Sequence, residues 1–317
     1  MQNGLMITKS GLTVFLICLV KICWSQTNIQ LRSSEDHRPL PFASVVNLTT
    51  NKMYSSNEYG IVSANWERGD SIFISYVGYK SLRRRIDTSG EQTWFLNPSN
   101  TLLEPIKIMT CRNVVTHEYS NLDADSSERK FGGVGWYRSA MNAKVAVMLI
   151  PGFENAVLQS FSIWLVRGMG TPKTAMKAPL KFSFYNIDDS SKLPGELITN
   201  QQVFYQPKKE GRQSVGIDSL HIRIPKEGIY VCMEYVYDDR YQYPMRRIDK
   251  ENGIDSTFYA YAGLIDGVFS KDFTLAFYSY KEDNWVFPFH RDKSYVSERH
   301  GTIKFSAILA TCSELKN

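Results

Sequence analysis

The sequence predicts an all-β protein: two β-sandwich domains in series behind an N-terminal leader. Three observations carry this. Apolar and polar residues alternate over short runs along most of the chain, the period of strands with one buried face. Clusters of Gly, Pro, Asn, Asp and Ser interrupt those runs at short intervals. No segment keeps a helical apolar period over three turns. At 317 residues and 43% hydrophobic, the chain has the length of two domains and the composition of one with real cores.

Residues 1–25 read as a secretory signal peptide. Lys9 supplies the positive region, and Gly11 to Val20 is an apolar run too short to span a bilayer. Cys23-Trp24-Ser25 puts small residues at the −3 and −1 positions of a cut before Gln26. Cys18 follows Ile17 and Cys23 follows Ile22, so neither has the small predecessor that a lipid-anchored cysteine wants.

The first domain is expected over residues 27–108. Pro39 and Pro41 cannot donate to a ladder, so they suit the lead-in to an edge strand, Phe42 to Val46. Ser56-Asn57-Glu58-Tyr59-Gly60 is a turn joining two strands. Gly69-Asp70 and Gly78 then bracket a strand from Ser71 to Val77. Its alternation sends Ile72, Ile74 and Tyr76 one way and Phe73, Ser75 and Val77 the other.

These stretches carry a resemblance. "PLPFASV", "SNEYGIVS", "GDSIFISYVGYKSLRRRI" and "LLEPIKI" resemble the carboxypeptidase-regulatory-like domain common in Bacteroidetes envelope proteins. The resemblance implies a small transthyretin-like or Ig-like sandwich, the non-catalytic part of the enzymes that gave the family its name. It also implies export, since the family often precedes TonB-dependent outer-membrane receptors. Ile29, Ser33 and His37 stand where that family usually has Gly, Asp and Gly, and Val62 where it usually has an aromatic residue.

Residues 109–135 read as a linker, most clearly the polar stretch Asn121 to Lys130 and the flexible Phe131-Gly132-Gly133-Val134-Gly135. Strand patterns return over 136–312. Phe161, Ile163 and Leu165 alternate, as do Phe182 and Phe184 against Lys181, Ser183 and Tyr185. Leu220, Ile222 and Ile224 form another face, then Ile229, Val231, Met233 and Tyr235, then Ile303, Phe305, Ala307 and Leu309. Turns at Asp188 to Ser191, Lys192 to Gly195 and Lys226 to Gly228 separate them. The expectation is a second sandwich of jelly-roll type. The run from Leu180 to Val236 resembles a module that follows the regulatory-like domain in some exported proteins and has no assigned activity.

Catalytic motifs are missing. None of His37, His117, His221, His290 and His300 has a Glu three residues on, and no H-E-x-x-H or C-x-x-C occurs. There is no G-x-S-x-G, and His290-Arg291-Asp292 lacks the Gly-rich loop that would make it a kinase triplet. No catalytic residue, metal or cofactor is therefore expected. Once the leader is set aside, 35 basic residues face 32 acidic ones, too even a balance for a nucleic-acid partner. Of Cys111, Cys232 and Cys312, any two could pair in an oxidising compartment, and Cys232 in its strand reads as a buried inert thiol.

Three surface features compete as binding sites. Tyr237, Asp238, Asp239, Tyr241 and Tyr243 mix aromatic faces with carboxylates, as a sugar site does, although a loop packing on its own domain has the same composition. Asp188-Asp189 is an ordinary turn before it is a Ca²⁺ ligand pair. Lys80 with Arg83, Arg84 and Arg85 suits a solvated edge, since consecutive strand residues cannot share a face. The expected function is a non-enzymatic exported module of the periplasm or outer-membrane surface, with an envelope protein or glycan as partner. The alternative is a carbohydrate-binding or carbohydrate-active protein beside a TonB-dependent transporter. Sequencing the mature N-terminus from the native host is expected to begin near Gln26; an intact Met1 in the cytoplasm would remove the envelope assignment.

Overall fold

The computed structural model describes residues 27–87, 90–99, 114–120, 144–153, 156–167, 170–248, 255–261, 264–265, 267–270, 275–286 and 300–312. The expected leader, the polar stretch 121–130, the glycine cluster 131–135 and Cys111 lie outside them. The protein is all-β, and helix among the described residues is limited to three 3-10 turns, Ala175–Lys177, Asp218–Leu220 and Asp239–Tyr241. None of those helices is long and apolar enough to cross a membrane, which says nothing of spans built from strands.

The first sandwich is built from β1 (Thr27–Ser33), β2 (Ser44–Asn47), β3 (Lys52–Ser55), β4 (Ile61–Ala64), β5 (Ser71–Ser75), β6 (Leu82–Arg85) and β7 (Gln92–Leu96). One sheet has the order β4-β1-β7 and the other β3-β2-β5-β6. Only the β1–β7 pair among these is parallel. Ile29, Leu31, Val45, Val62, Ile72, Ile74, Trp94 and Leu96 fill the space between the sheets.

The second sandwich begins with β8 (Val114–Ser120), β9 (Val145–Leu149), β10 (Ala156–Val166), β11 (Leu180–Ile187), β12 (Pro194–Leu197), β13 (Val203–Tyr205), β14 (Gly211–Gly216), β15 (Arg223–Ile224) and β16 (Ile229–Tyr235). It continues with β17 (Gln242–Ile248), β18 (Asp255–Tyr261), β19 (Leu264–Ile265), β20 (Gly267–Ser270), β21 (Leu275–Ser279), β22 (Asn284–Val286), β23 (His300–Ile303) and β24 (Phe305–Cys312). A six-stranded sheet runs β14-β10-β24-β8, with β15 and β19 also on β10. A seven-stranded sheet runs β12-β11-β16-β9-β21-β22, with β13 also on β11. Phe161, Ile163, Phe305 and Leu309 from the first meet Phe182, Phe184, Val231, Met233 and Val147 from the second. Phe161 is the hub, edge-on to Phe182 at 4.8 Å and stacked with Phe305 at 5.9 Å.

Several expectations need correction. Val114 to Ser120 was expected in the linker, yet it is β8, an antiparallel partner of β24 over seven residue pairs. Its polar alternation, Thr116 and Glu118 against Val115 and Tyr119, hid a strand. The strand after Pro41 is not at an edge, because β2 lies between β3 and β5. Both prolines precede β2, so their missing N–H groups cost no ladder bond, and Phe42, at φ 58, turns the chain into the strand. Leu220 belongs to a 3-10 turn, and His221 follows it at φ 49, so only Arg223–Ile224 extends as β15.

The turn at 56–60 does join two strands, but in different sheets. Asn57 Oδ1 accepts from the Tyr59 and Ile61 N–H groups, each at 2.9 Å, and Ser56 Oγ accepts from Ala43 N at 2.8 Å. Gly60 closes it at φ +74, where an added Cβ would lie 2.6 Å from Leu31 O and 2.9 Å from Leu40 N. Gly60→Ala therefore meets both a left-handed backbone and a backbone clash. It is expected to lower the melting temperature, costing more than about 1 kcal/mol; an unchanged melting curve would mean the crossover is not packed as described.

Candidate functional site

Alternation gives each inner sheet a second face, and on β11, β16 and β9 that face is not solvent. Lys181 and Glu234 are direct cross-strand partners, as are Ser183 and Cys232, and Cys232 and Ala146. Lys144 immediately precedes β9. On the first sandwich, Ser44 of β2 and Ser75 of β5 are direct partners on the face turned away from their own core. The two faces meet, and the joint between the sandwiches is a buried polar cluster.

Its geometry is dense. The Lys181 ammonium donates to Ser44 Oγ at 2.6 Å and Phe42 O at 2.9 Å, and lies 3.3 Å from Glu234 Oε2. Glu234 Oε1 accepts from the Ser44 hydroxyl and from Tyr280 OH, the latter at 2.8 Å. Lys144 Nζ donates to Ser75 Oγ at 2.6 Å and sits 4.8 Å above the Tyr278 ring. The Lys181 and Glu234 side chains are only 3% and 5% exposed. Around this cluster, Tyr237 N donates to Ser55 Oγ at 2.9 Å, and Arg83 Nη2 donates to Lys281 O at 3.0 Å. Phe73 packs edge-on to Tyr280 at 5.6 Å, and Val46 and Met53 join the same apolar cluster.

The electrostatics follow from burial and from the count of charges. Burial acts to raise the Glu234 carboxyl, but the Lys181 and Lys144 ammoniums and the Ser44 and Tyr280 bonds together hold it below its ordinary value. Burial lowers Lys181, with Lys144 pushing the same way and Glu234 opposing. Burial pushes the Cys232 thiol up to about 12, so it is an unreactive thiol at neutral pH. Burial, then Glu234, raises the Tyr280 hydroxyl well above its ordinary value, which keeps it a donor.

The tyrosine-rich loop is arranged differently from a stacking platform. Tyr237 and Tyr243 are 4% and 5% exposed, and Tyr243 OH lies 3.1 Å from Thr171 Oγ1. Their rings are core, so the expected sugar-stacking role of these two is withdrawn. Asp238 caps the short turn Asp239–Tyr241, accepting from Arg240 N at 2.9 Å and pairing with its guanidinium. That guanidinium holds the Asp238 carboxyl below its ordinary value. Arg240 lies 5.7 Å from the half-buried Tyr241 ring, and Asp239 accepts from Gln242 Nε2 at 3.0 Å. Asp188 caps its turn through Ser190 and Ser191. Arg83 and Arg84 do take opposite faces, one over Phe73 and one over Trp94.

No protein-family model matches the chain, and no curated protein matches it. Among solved structures it is similar to one titled "Structure of infectious bursal disease virus Gx strain", at 8% identity and a TM-score of 0.19. The match covers 84% of this chain and 56% of that chain, so this chain spans little more than half its length. A likeness at that level carries neither a fold nor an activity across.

The joint has a pH signature. Glu234 has a folded-state pKa below the ordinary 4.5, so its stabilisation is present above 4.5 and is lost as pH falls through the lower folded value. Chemical denaturation between pH 7 and 2 is expected to show stability falling below pH 4.5, with a shallower fall in Glu234→Gln. Equal slopes would show that Glu234 is not ionised at the joint.

Proposed function

We propose that the chain is a non-enzymatic exported module of a bacterial cell envelope, two sandwiches locked into one rigid body that presents sheet surfaces to a partner. The observation that carries this reading is the joint. Of the four buried charged side chains among the described residues, Lys144, Lys181 and Glu234 tie one sandwich to the other, while Asp70 is held by Asn47 within the first. An ion pair held by hydroxyls on both sides has little freedom to exchange protons with a substrate, but it fixes two domains in one orientation. Export and the envelope address rest on the leader and on the resemblance of residues 27–108 to a domain of envelope proteins.

Calorimetry tests it. Removing one partner of a buried pair typically costs about 3–5 kcal/mol, because the other charge is left uncompensated. The wild-type chain is expected to unfold in one cooperative transition, and Glu234→Ala in two, as the sandwiches uncouple. Two independent transitions in the wild type would break the rigid-module reading. Release of products from envelope polysaccharide or peptidoglycan by the purified chain would replace it with an enzymatic one.

A further inference from the structure

β6 is the last strand of the sheet β3-β2-β5-β6, and among the described residues no strand pairs with its other edge. The ladder shows which main-chain groups that edge offers. Ile86 N donates to Asp70 O at 2.9 Å and Gly69 N donates to Ile86 O at 2.8 Å, so Ile86 turns both of its groups toward β5. Arg84, the partner of Ile72, follows the same parity. Arg83 and Arg85 therefore turn their N–H and C=O groups outward, to an edge that a further strand could join.

The same stretch holds charge without a counter-charge. Lys80, Arg83, Arg84 and Arg85 put four cations into the six residues 80–85, and all four are exposed. None of them forms an ion pair among the described residues. Two carboxylates of the region are committed elsewhere. Asp70 accepts from Asn47, and Asp283 accepts from the Ser81 hydroxyl at 2.6 Å and from the Tyr278 hydroxyl. Two of the guanidiniums are drawn down onto the faces of the sheet. Arg83 lies 5.7 Å from the Phe73 ring centroid and donates to Tyr280 O at 3.3 Å and Lys281 O at 3.0 Å, contacts that leave its charge uncompensated. Arg84 lies 5.2 Å from the Trp94 ring centroid on the opposite face. Arg85 makes no side-chain hydrogen bond, ion pair or ring contact among the described residues. Charges that guard an edge stand across it; Arg83 and Arg84 flank this one instead.

We propose that the β6 edge takes up an extended acidic segment of a partner protein as a fifth strand, its main chain bonded to Arg83 and Arg85 and its carboxylates facing their guanidiniums. The proposal rests on reading the chain as a binding module and supplies that module's edge and partner class. Strand addition gives affinity through main-chain bonds and specificity through alternate side chains. Here Arg83 and Arg85 share one face, so the segment carries carboxylates at every second position. On the other face, the half-buried Leu82 and the Arg84 stem above Trp94 meet apolar side chains. A second copy is a poor occupant, because pairing β6 with β6 sets arginine against or beside arginine, and like charges opposed across strands destabilise the pair. The arginines thus reject the chain's own edge while favouring an acidic one. A nucleic acid has no ladder to offer and needs many phosphate contacts, more than one short strand supplies.

The test is binding of the full-length chain to a capped peptide of alternating glutamate and valine. The comparisons are the same peptide N-methylated at alternate residues, an alternating lysine–valine peptide, a DNA oligonucleotide and phosphatidylglycerol vesicles. The glutamate–valine peptide is expected to bind, more weakly as salt rises, and the N-methylated one, which keeps the charge but loses ladder donors, is expected not to. Hydrogen exchange at the Arg83 and Arg85 amides is expected to slow on binding, while the Arg84 amide, already turned toward β5, stays as it was. Arg85→Glu is expected to weaken binding about tenfold, the size of one lost charge-assisted bond. Arg83 and Arg84 cover aromatic rings, so Arg85, which packs on neither, keeps the test decisive if variants of the other two unfold. No binding, equal binding of the N-methylated or lysine–valine peptide, tighter binding to DNA or vesicles, unchanged exchange at Arg83 and Arg85, or an Arg85→Glu chain that binds like the wild type would each overturn the proposal. Failure here with the calorimetric coupling intact would leave the rigid module standing and remove only this edge as its docking site.

Discussion

Lys181 and Glu234 share one position of the β11–β16 ladder, and the placement of the two sandwiches follows from how that pair is solvated. Taking both charges out of water is costly, and their mutual attraction offsets the cost only if the remaining donors and acceptors find partners. The second sandwich alone cannot supply them. Ser44 does, donating to Glu234 and accepting from Lys181, and Phe42 O takes another Lys181 proton. The first sandwich thus completes the solvation shell of an ion pair that belongs to the second. Apolar contacts at Phe73, Val46 and Met53 add attraction without direction. The hydrogen-bonded charges supply the direction, since a small rotation would strand them.

The same constraint explains why β2 and β5 are buried on both faces. Ile72 and Ile74 face their own core, while Phe73 and Ser75 face the joint. Val45 and Val46 divide in the same way. Strands covered on one side only would carry a clean polar face. These carry serines and one large aromatic residue instead, small hydroxyls where a lysine must be met and a ring where an apolar neighbour waits. Asn47, on the inner side, is tied to Asp70 at 2.7 Å, so the end of the strand is fixed as well.

How much of this was legible depended on whether the signal was local. The strand at 71–75 was, because Gly69-Asp70 and Gly78 mark its ends and alternation marks its faces. The core faces of β11 and β16 were legible for the same reason. The joint was not, because Lys181 and Ser183 between apolar neighbours read as a wet face, and nothing within a strand says that another domain will cover it. One hint existed. Glu234 is the only charge in Ile229–Tyr235, otherwise an apolar run of a strand buried on both sides. A parity argument would also have corrected the tyrosine loop, since Tyr237 continues the core-facing series Ile229, Val231, Met233 and Tyr235. Aromatic and carboxylate composition suggested a ligand there, while parity had already placed that ring inside.

The two outer faces of the second sandwich show one residue chemistry in two solvents. Lys181 and Glu234, at 3% and 5% exposure, are permanent partners, because separating them would leave charges in a dry joint. Arg212 and Glu118, at 48% and 60%, are temporary ones, because water compensates either when the other leaves. The serines change role accordingly. At the joint, Ser44 and Ser75 solvate lysines from across a domain boundary. On the outer face of the six-stranded sheet, Ser162 and Ser306 hold one arginine from beneath. The same cation, carboxylate and hydroxyl types thus fix a domain boundary where water is excluded and form an exchangeable pair where water reaches them.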